Sequence, residues 1–121
     1  MLSRKYRFHS RGGVKYVYKH GKTIRKSKMS LIFMPNERGF TRIAVVVSKK
    51  IDKRAVVRNR IRRQIYEALR RNMDLIPNKH DYIFVVYSRD VTKMKVNELE
   101  KLLGELVTES KICYTGPNGQ E

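Results

Sequence analysis

The stretch from Lys49 to Arg71 holds the side chains whose types and spacing could do chemistry. It contains ten lysines and arginines against two acids, which gives a formal charge of +8 in 23 residues. A run of residues as basic as this one is typical of a disordered tail. Here, however, apolar residues recur at helical spacing, namely Val57, Ile61, Ile65, Ala68 and Leu69. The segment therefore predicts a helix that buries one face and offers arginines to a polyanion, with nucleic acid, and RNA in particular, as the first candidate partner.

The charged side of this predicted helix lacks the acids that an ordinary solvated surface would carry. On a wheel of about 100° per residue, the side opposite the apolar residues carries Asn59, Arg63, Tyr66 and Arg70. Beside them lie Arg60, Gln64 and Arg71, while Arg58 and Arg62 border the apolar face. Only Glu67 is available for the i,i+4 ion pairs of a solvated face. Because arginine outnumbers lysine, bidentate contacts with phosphates are the favoured interpretation.

The sequence offers no catalytic constellation. It has no paired carboxylates, no Ser-His or Cys-His arrangement and no Gly-rich phosphate loop. Its three histidines have no ligand spacing, and the single Cys113 excludes an internal disulfide and a Cys-based zinc site. Asp52 alone is a weak candidate for holding a cation near phosphates. We therefore expect no cofactor bound by identifiable protein ligands and no chemistry performed by protein side chains.

Length and charge favour one basic domain. The 121 residues carry a net charge of +17, because the first 71 residues carry +19 and the last 50 are slightly acidic at −2. Such a potential steers a protein onto phosphate backbones. No apolar stretch approaches the roughly 18 residues of a membrane span, and the basic start lacks the apolar region of a secretory signal. No membrane is expected as a partner, and the lone cysteine fits a reducing cytoplasm.

The patterns predict an α+β domain in the order β-β-β-α-β-α, either as such or with a helical turn at the start, with about four strands and helices packed on one face. Alternation at residues 14–19 predicts a first strand, and residues 22–28 a basic loop or hairpin arm. Further strands are predicted at residues 29–34, 41–48 and 81–88, and helices at about 53–72 and 96–107. The domain is expected to span residues 1–110, with a frayed tail over 111–121.

Residues on both sides of the basic helix resemble a known family. The run Arg42–Lys50 (RIAVVVSKK) and the run Arg54–Arg63 (RAVVRNRIRR) resemble the signature of the bacterial ribonuclease P protein subunit. Upstream, Arg7-Phe8 and Val17–Gly21 are similar to further family elements, as is Asp81–Val86 downstream. The resemblance covers about residues 7–107.

The resemblance implies a function divided between protein and RNA. The family's subunit binds a catalytic RNA, and that RNA with Mg²⁺ hydrolyses the 5′ leader from precursor tRNA, an endonuclease step of tRNA processing in the bacterial cytoplasm. No obligate protein partner is evident. The residues implied to contact the RNA subunit are Arg54, Arg58, Asn59, Arg60, Arg62 and Arg63. A cleft between the basic helix and the sheet is implied to receive the leader, lined by Tyr16, Tyr18, Ser48, Lys49, Lys50 and Arg89. The resemblance also implies a left-handed β-α-β crossover around that helix, against the general rule.

The sequence departs from the family pattern at a few positions. Val14 stands where the family has an aromatic residue, and Tyr16, one side-chain step along a strand, is expected to fall on the same face and compensate. Tyr66 stands where the family often has arginine, and the turn at residues 51–54 lacks the common glycine. These departures bear on which residue stacks on the leader.

Two other functions compete with this one. A structural RNA-binding protein, such as a small ribosomal protein, is supported by charge and size alone. A DNA-binding regulator with the basic helix in a major groove is weaker, because no helix-turn-helix partner precedes the helix.

Overall fold

A four-stranded sheet organises the part of the chain that the structure, a computed structural model, describes: residues 11–36, 41–72, 76 and 79–114. Its strands are β1 (Lys22–Arg25), β2 (Met29–Pro35), β3 (Arg42–Val47) and β4 (His80–Val86). They lie side by side in the order β1-β2-β4-β3. The pairs β1/β2 and β2/β4 are antiparallel, and β3/β4 is parallel. A parallel pair requires a crossover connection, and the basic helix supplies it.

Three α-helices flank this sheet. They are α1 (Arg11–His20), α2 (Ala55–Arg71) and α3 (Val96–Tyr114), with a short 3-10 helix at Arg89–Lys93 before α3. The predicted class, an α+β single domain with about four strands and a basic helix, is confirmed. Helix α3 runs four residues beyond the predicted domain end, and residues 115–121 of the expected tail lie outside the described residues.

Alternating side chains divide the core between the two faces of the sheet. In β3, Ile43, Val45 and Val47 belong to the main cluster, which also contains the apolar residues of α2 and α3. Ala44 and Val46 point to the other face, where a smaller cluster includes Val17 of α1. Helix α1 therefore covers one face of the sheet and α2 with α3 cover the other. The expectation of helices on one face only was wrong for α1.

Residues 14–19, predicted as a strand, lie within helix α1 instead. A six-residue alternation is too short to exclude a helix, because Val14 and Val17 also stand at helical i,i+3 spacing. The tertiary context decides between the two. Helix α1 packs on the smaller cluster, and its Val17 is only 1% exposed. Without the helix, the apolar sheet residues of that cluster would be open to water.

Gly21 allows α1 to turn directly into the sheet. Its N–H donates to the carbonyl of Val17 at 2.7 Å, and the next residue begins β1. A Cβ on Gly21 would lie 2.7 Å from the Val17 oxygen and 2.9 Å from the Phe33 oxygen. Because both are backbone atoms, no side-chain rotation can relieve the clash, and only glycine fits this close approach.

A buried ion pair joins the starts of the two parallel strands. Arg42 donates from Nε to Asp81 Oδ1 at 2.9 Å and from an Nη to Oδ2 at 2.7 Å, and the two residues are register partners. Asn36 adds a bond to Oδ1 at 2.8 Å. The bidentate geometry fixes the register of β3 on β4 and hence the position from which α2 departs.

Candidate nucleic-acid interface

Helix α2 presents the basic surface that its sequence predicts. Val57, Ile61 and Ile65 are buried against the sheet, whereas Asn59, Arg60 and Arg63 are exposed. Within the described part of the chain, neither Arg60 nor Arg63 takes part in an ion pair or a side-chain hydrogen bond. Uncompensated guanidinium groups on one exposed surface repel each other, and phosphates are the natural counter-charge.

Tyr66 differs from the prediction, which placed it opposite the apolar face. Its exposure is 8%, and it belongs to the main cluster. On the wheel Tyr66 lies only about 60° beyond Leu69, and its long ring, which is mostly hydrocarbon, extends the buried arc of the helix.

The second half of α2 is electrically compensated. Glu67 pairs with Arg70 and, at 3.8 Å, with Arg71. Arg71 also donates to Glu100 of α3 at 2.8 and 2.9 Å, which ties the two helices together. The free positive charge of α2 therefore lies in its first half.

A tight turn built on Asp52 precedes that half. Asp52 Oδ1 accepts the backbone N–H of Arg54 at 2.9 Å and its Nε at 3.0 Å, and Oδ2 accepts an Nη at 2.9 Å. These hydrogen bonds from Arg54 hold the pKa of the Asp52 carboxyl well below its usual range. Both carboxylate oxygens are engaged, so Asp52 does not fit the cation-binding role that its position suggested.

Arg58 has a different position from its neighbours on α2. One of its Nη atoms donates to the backbone carbonyls of Asp52 and Lys53, both at 2.9 Å. Arg62 donates to the side-chain oxygen of Asn59 one turn earlier. Of the six predicted RNA contacts, Arg58 is therefore engaged with the preceding turn. Arg54 is paired with Asp52, and Arg62 and Asn59 are paired with each other. Arg60 and Arg63 extend freely.

The turn gathers residues that the sequence assigned to two separate sites. Lys49, Lys50, Lys53, Arg54 and Arg89 line one open concavity of about 420 Å³ around Asp52. Arg89 arrives from the segment after β4, and Ser48 orders the turn by accepting the N–H of Lys50 at 3.1 Å. Five cations about one carboxylate, beside a helix N-terminus without a side-chain cap, form a surface suited to a phosphate backbone.

The two predicted tyrosines lie on α1, across the sheet from α2. The apolar side of α2 packs onto one face of the sheet and α1 covers the other, so among the described residues these two tyrosines do not lie between α2 and the sheet as expected. Tyr16 and Tyr18 are 56% and 44% exposed. Burial of part of its ring raises the pKa of Tyr18. Beside α1, Val46 and Val85 of the sheet are only partly buried, so the open apolar surface lies on this face.

The helix also separates the two tyrosines from each other. Two residues apart, they share a face in a strand but lie about 200° apart around a helix. Tyr16 was expected to share a face with Val14 and to compensate for it. It does not, because the two residues also lie about 200° apart around the helix. Tyr16 instead lines a pocket of about 540 Å³ with Arg42 and Asp81.

Sequence reasoning missed two aromatic residues on this face. Tyr87 follows β4, is 43% exposed and donates its hydroxyl to the Met29 carbonyl at 3.3 Å. The alternation Ile83, Val85, Tyr87 was the available signal, because every second residue of a strand shares a face. His20, whose ring packs on Tyr16, could be found only once the helix was known.

Among the described residues, no group of three or more His, Cys, Asp or Glu side chains is placed to hold a metal ion. No helix there is long and apolar enough to cross a membrane.

Comparisons with known proteins agree with this geometry. The ribonuclease P protein component of Clostridioides difficile is 36% identical over 99 residues, 79% of this chain and 83% of that protein. The structure of the RNase P protein of Staphylococcus aureus matches with a TM-score of 0.78 at 24% identity, over 88% of this chain and 96% of that one. That of Thermotoga maritima matches with a TM-score of 0.77 at 23% identity, over 85% and 96%. The family model described as Ribonuclease P matches residues 2–111, and the chain therefore belongs to the ribonuclease P protein family.

Proposed function

We propose that this ribonuclease P protein binds the catalytic RNA through the first half of α2 and the 5′ leader of precursor tRNA through the α1 face of the sheet. The family gives the chain its role in ribonuclease P and in tRNA processing. The division of labour between the two surfaces and the identity of the two RNA partners are the proposal.

The observation that carries the proposal is the cation cluster around Asp52, continued by Arg60 and Arg63. Its exposed charges have one carboxylate among them, and Arg54 already engages that carboxylate. Phosphates that displace condensed counterions from RNA would neutralise this surface and make binding steeply dependent on salt. Guanidinium groups in fixed positions also favour bidentate contacts with phosphate oxygens.

The RNA, with Mg²⁺, is proposed to carry the hydrolysis. The side chains that the fold brings together are lysines and arginines, which position phosphates and offset negative charge. They do not fit a Mg²⁺ site, since this ion prefers oxygen ligands and Asp52 is engaged by Arg54. The protein's part is then to hold RNA and substrate together, in the bacterial cytoplasm where its relatives' role would place it.

The leader is proposed to contact Tyr18, Ser48, Lys49 and Lys50. Tyr18 offers a half-exposed ring on which a base can stack with little sequence preference. The lysines follow Ser48 at the end of β3, where they belong to the cation cluster as well. A single-stranded leader that leaves the catalytic RNA beside α2 would therefore pass these lysines before it reaches the α1 face.

Reconstitution tests the function directly. At low Mg²⁺, the protein is expected to restore cleavage of precursor tRNA by the cognate catalytic RNA. The matched control is Lys101→Ala, which removes an exposed charge from α3 and should cleave like wild type. Tight binding of the RNA with unchanged cleavage would reject the proposal and favour a purely structural RNA binder, which the same charge would also support.

A further inference from the structure

Helix α1 carries different side chains on its two flanks. Val14 and Val17 turn toward the sheet, where Val17 is 1% exposed. On a helical wheel Tyr18 lies on one flank, and Tyr16 with His20, four residues later, on the other. Lys15 and Lys19 lie between the flanks on the side away from the sheet and are exposed.

The flank with Tyr16 is an open aromatic surface. The Tyr16 and His20 ring centroids are 4.3 Å apart, with planes inclined at 37°. Tyr16 stays 56% exposed, and its ring borders the pocket of about 540 Å³ that Met34, Pro35 and Asn36 also line. The Tyr16 ring therefore borders a concave surface on one side, contacts the His20 ring, and remains more than half open to solvent.

The charges near this surface favour a nucleic acid as its ligand. Lys15 and Lys19 have no ion-pair partner among residues 11–36, 41–72, 76 and 79–114. Aromatic faces interleaved with cations are the arrangement by which proteins hold unpaired nucleic acid, because every base has a face that can stack. The nearest buried acid, Asp81, is neutralised by Arg42.

We propose that the Tyr16–His20 ring pair is a second base-stacking surface for unpaired RNA, with Lys15 and Lys19 contacting the phosphates between it and Tyr18. The inference rests on the proposed function, since it extends the length of leader that the protein can hold. With its side chains a helix is about 10–12 Å across. Only a strand of several nucleotides can therefore reach both flanks.

A tryptophan reporter tests the stacking itself. The chain has no tryptophan, so Tyr16→Trp places a single fluorophore on the proposed surface and keeps a ring that can stack. A 15-nucleotide oligouridylate should quench its emission until the signal saturates. The midpoint of this quenching titration should equal the midpoint of binding measured by fluorescence anisotropy with a labelled copy of the same RNA. The control reporter Thr108→Trp, at an exposed position on α3 away from the basic surface, should not respond. Binding by anisotropy with unchanged tryptophan emission from the Tyr16→Trp variant would overturn the inference.

Substitutions of the same ring supply the energetic test. Tyr16→Leu is expected to weaken binding of the 15-nucleotide RNA by about 5- to 150-fold, as for one lost stack, whereas Tyr16→Phe should bind like wild type. Thermal unfolding of both variants confirms that they are folded. Equal affinities for wild type and Tyr16→Leu, or an equal loss in Tyr16→Phe, would overturn the inference.

A cleavage assay separates this inference from the proposed function. In the reconstituted enzyme, Tyr16→Leu should impair cleavage of a precursor with a long leader more than cleavage of one with a two-nucleotide leader, because so short a leader cannot reach both flanks. Normal cleavage together with RNA binding that ignores Tyr16 would reject the second surface alone. Failure of the wild-type protein to stimulate cleavage would reject the proposed function, while the oligonucleotide measurements would still decide the inference.

Discussion

Arg58→Ala and Arg60→Ala, two positions apart on α2, are expected to impair the protein in different ways. Arg58 donates to the carbonyls of Asp52 and Lys53 and so fixes the turn before the helix. Arg60 is exposed and makes no contact with other described residues through an ion pair or a side-chain hydrogen bond. Sequence alone assigns both arginines to the catalytic RNA, so the structure is what separates them.

The magnitudes follow from those contacts. A hydrogen bond from a charged group contributes about 1.5–3 kcal/mol, but the two bonds of Arg58 share one nitrogen and one of them is exposed. We therefore expect Arg58→Ala to lower the free energy of unfolding by about 1–2 kcal/mol, where each kcal/mol shifts Tm by about 3–6 °C at this length. Arg60→Ala should stay within about 0.5 kcal/mol of wild type.

RNA binding completes the contrast. Affinity for the catalytic RNA, measured over a salt series, should fall with Arg60→Ala, and the slope of log K against log salt should become shallower by about 1. Lys101→Ala should alter neither Tm nor slope. An unchanged slope would remove Arg60 from the RNA contacts, and an unchanged Tm for Arg58→Ala would refute the role of Arg58 in holding the turn.

Three further predictions concern stability, acid sensitivity and substrate choice. Gly104 lies in the interior of α3, where no atom comes within 4 Å of a new Cβ, so Gly104→Ala should raise the free energy of unfolding by about 0.5–1 kcal/mol. Gly21→Ala should instead lower Tm, because its Cβ would meet two backbone oxygens. Changes of the same sign for both variants would contradict the packing. Hydrogen bonding from Arg70 lowers the pKa of Glu67 to about 2, so its contribution is complete above the usual carboxyl pKa and is lost as pH falls toward 2. Glu67→Gln should accordingly lower Tm at pH 7 and not at pH 2, as followed by calorimetry. Tyr18→Ala should weaken binding of leader-bearing precursor by about 1–3 kcal/mol and spare mature tRNA, while an equal loss for both would indicate a packing role.

The strand β3 and helix α2 could be predicted because their signals are strong and local. Every residue of RIAVVV after the arginine is apolar, and α2 repeats buried apolar residues from Val57 to Leu69. Helix α1 offered only a six-residue alternation, which fits both periods. The choice depends on the sheet face that α1 covers, and no local pattern contains that information.

The contacts within the turn at residues 51–54 could not be predicted from the sequence either. The family resemblance treated Arg54, Arg58 and Arg60 as equivalent RNA contacts, because it carries over residue types at matching positions and not their contacts within this chain. Whether a guanidinium reaches a phosphate or a backbone carbonyl depends on the path of residues 51–54, which in turn depends on where β3 ends. Arg89 was grouped with Lys49 and Lys50, and all three line the same concavity, but the proximity of Arg89 to Arg54 could be seen only in the fold.

The pairing of Asp52 with Arg54 suits recognition of RNA rather than opposing it. Asp52 engages two of the guanidinium N–H groups, and since arginine has five such donors, three are left for another ligand. The Arg54 side chain is 75% exposed while that of Asp52 is 11% exposed, so the free donors face solvent. Holding one edge of the guanidinium lowers the entropy lost when the other edge meets a phosphate. The acid within this basic run thus orients its neighbour, and the turn that Arg58 secures sets the direction in which Arg54 points.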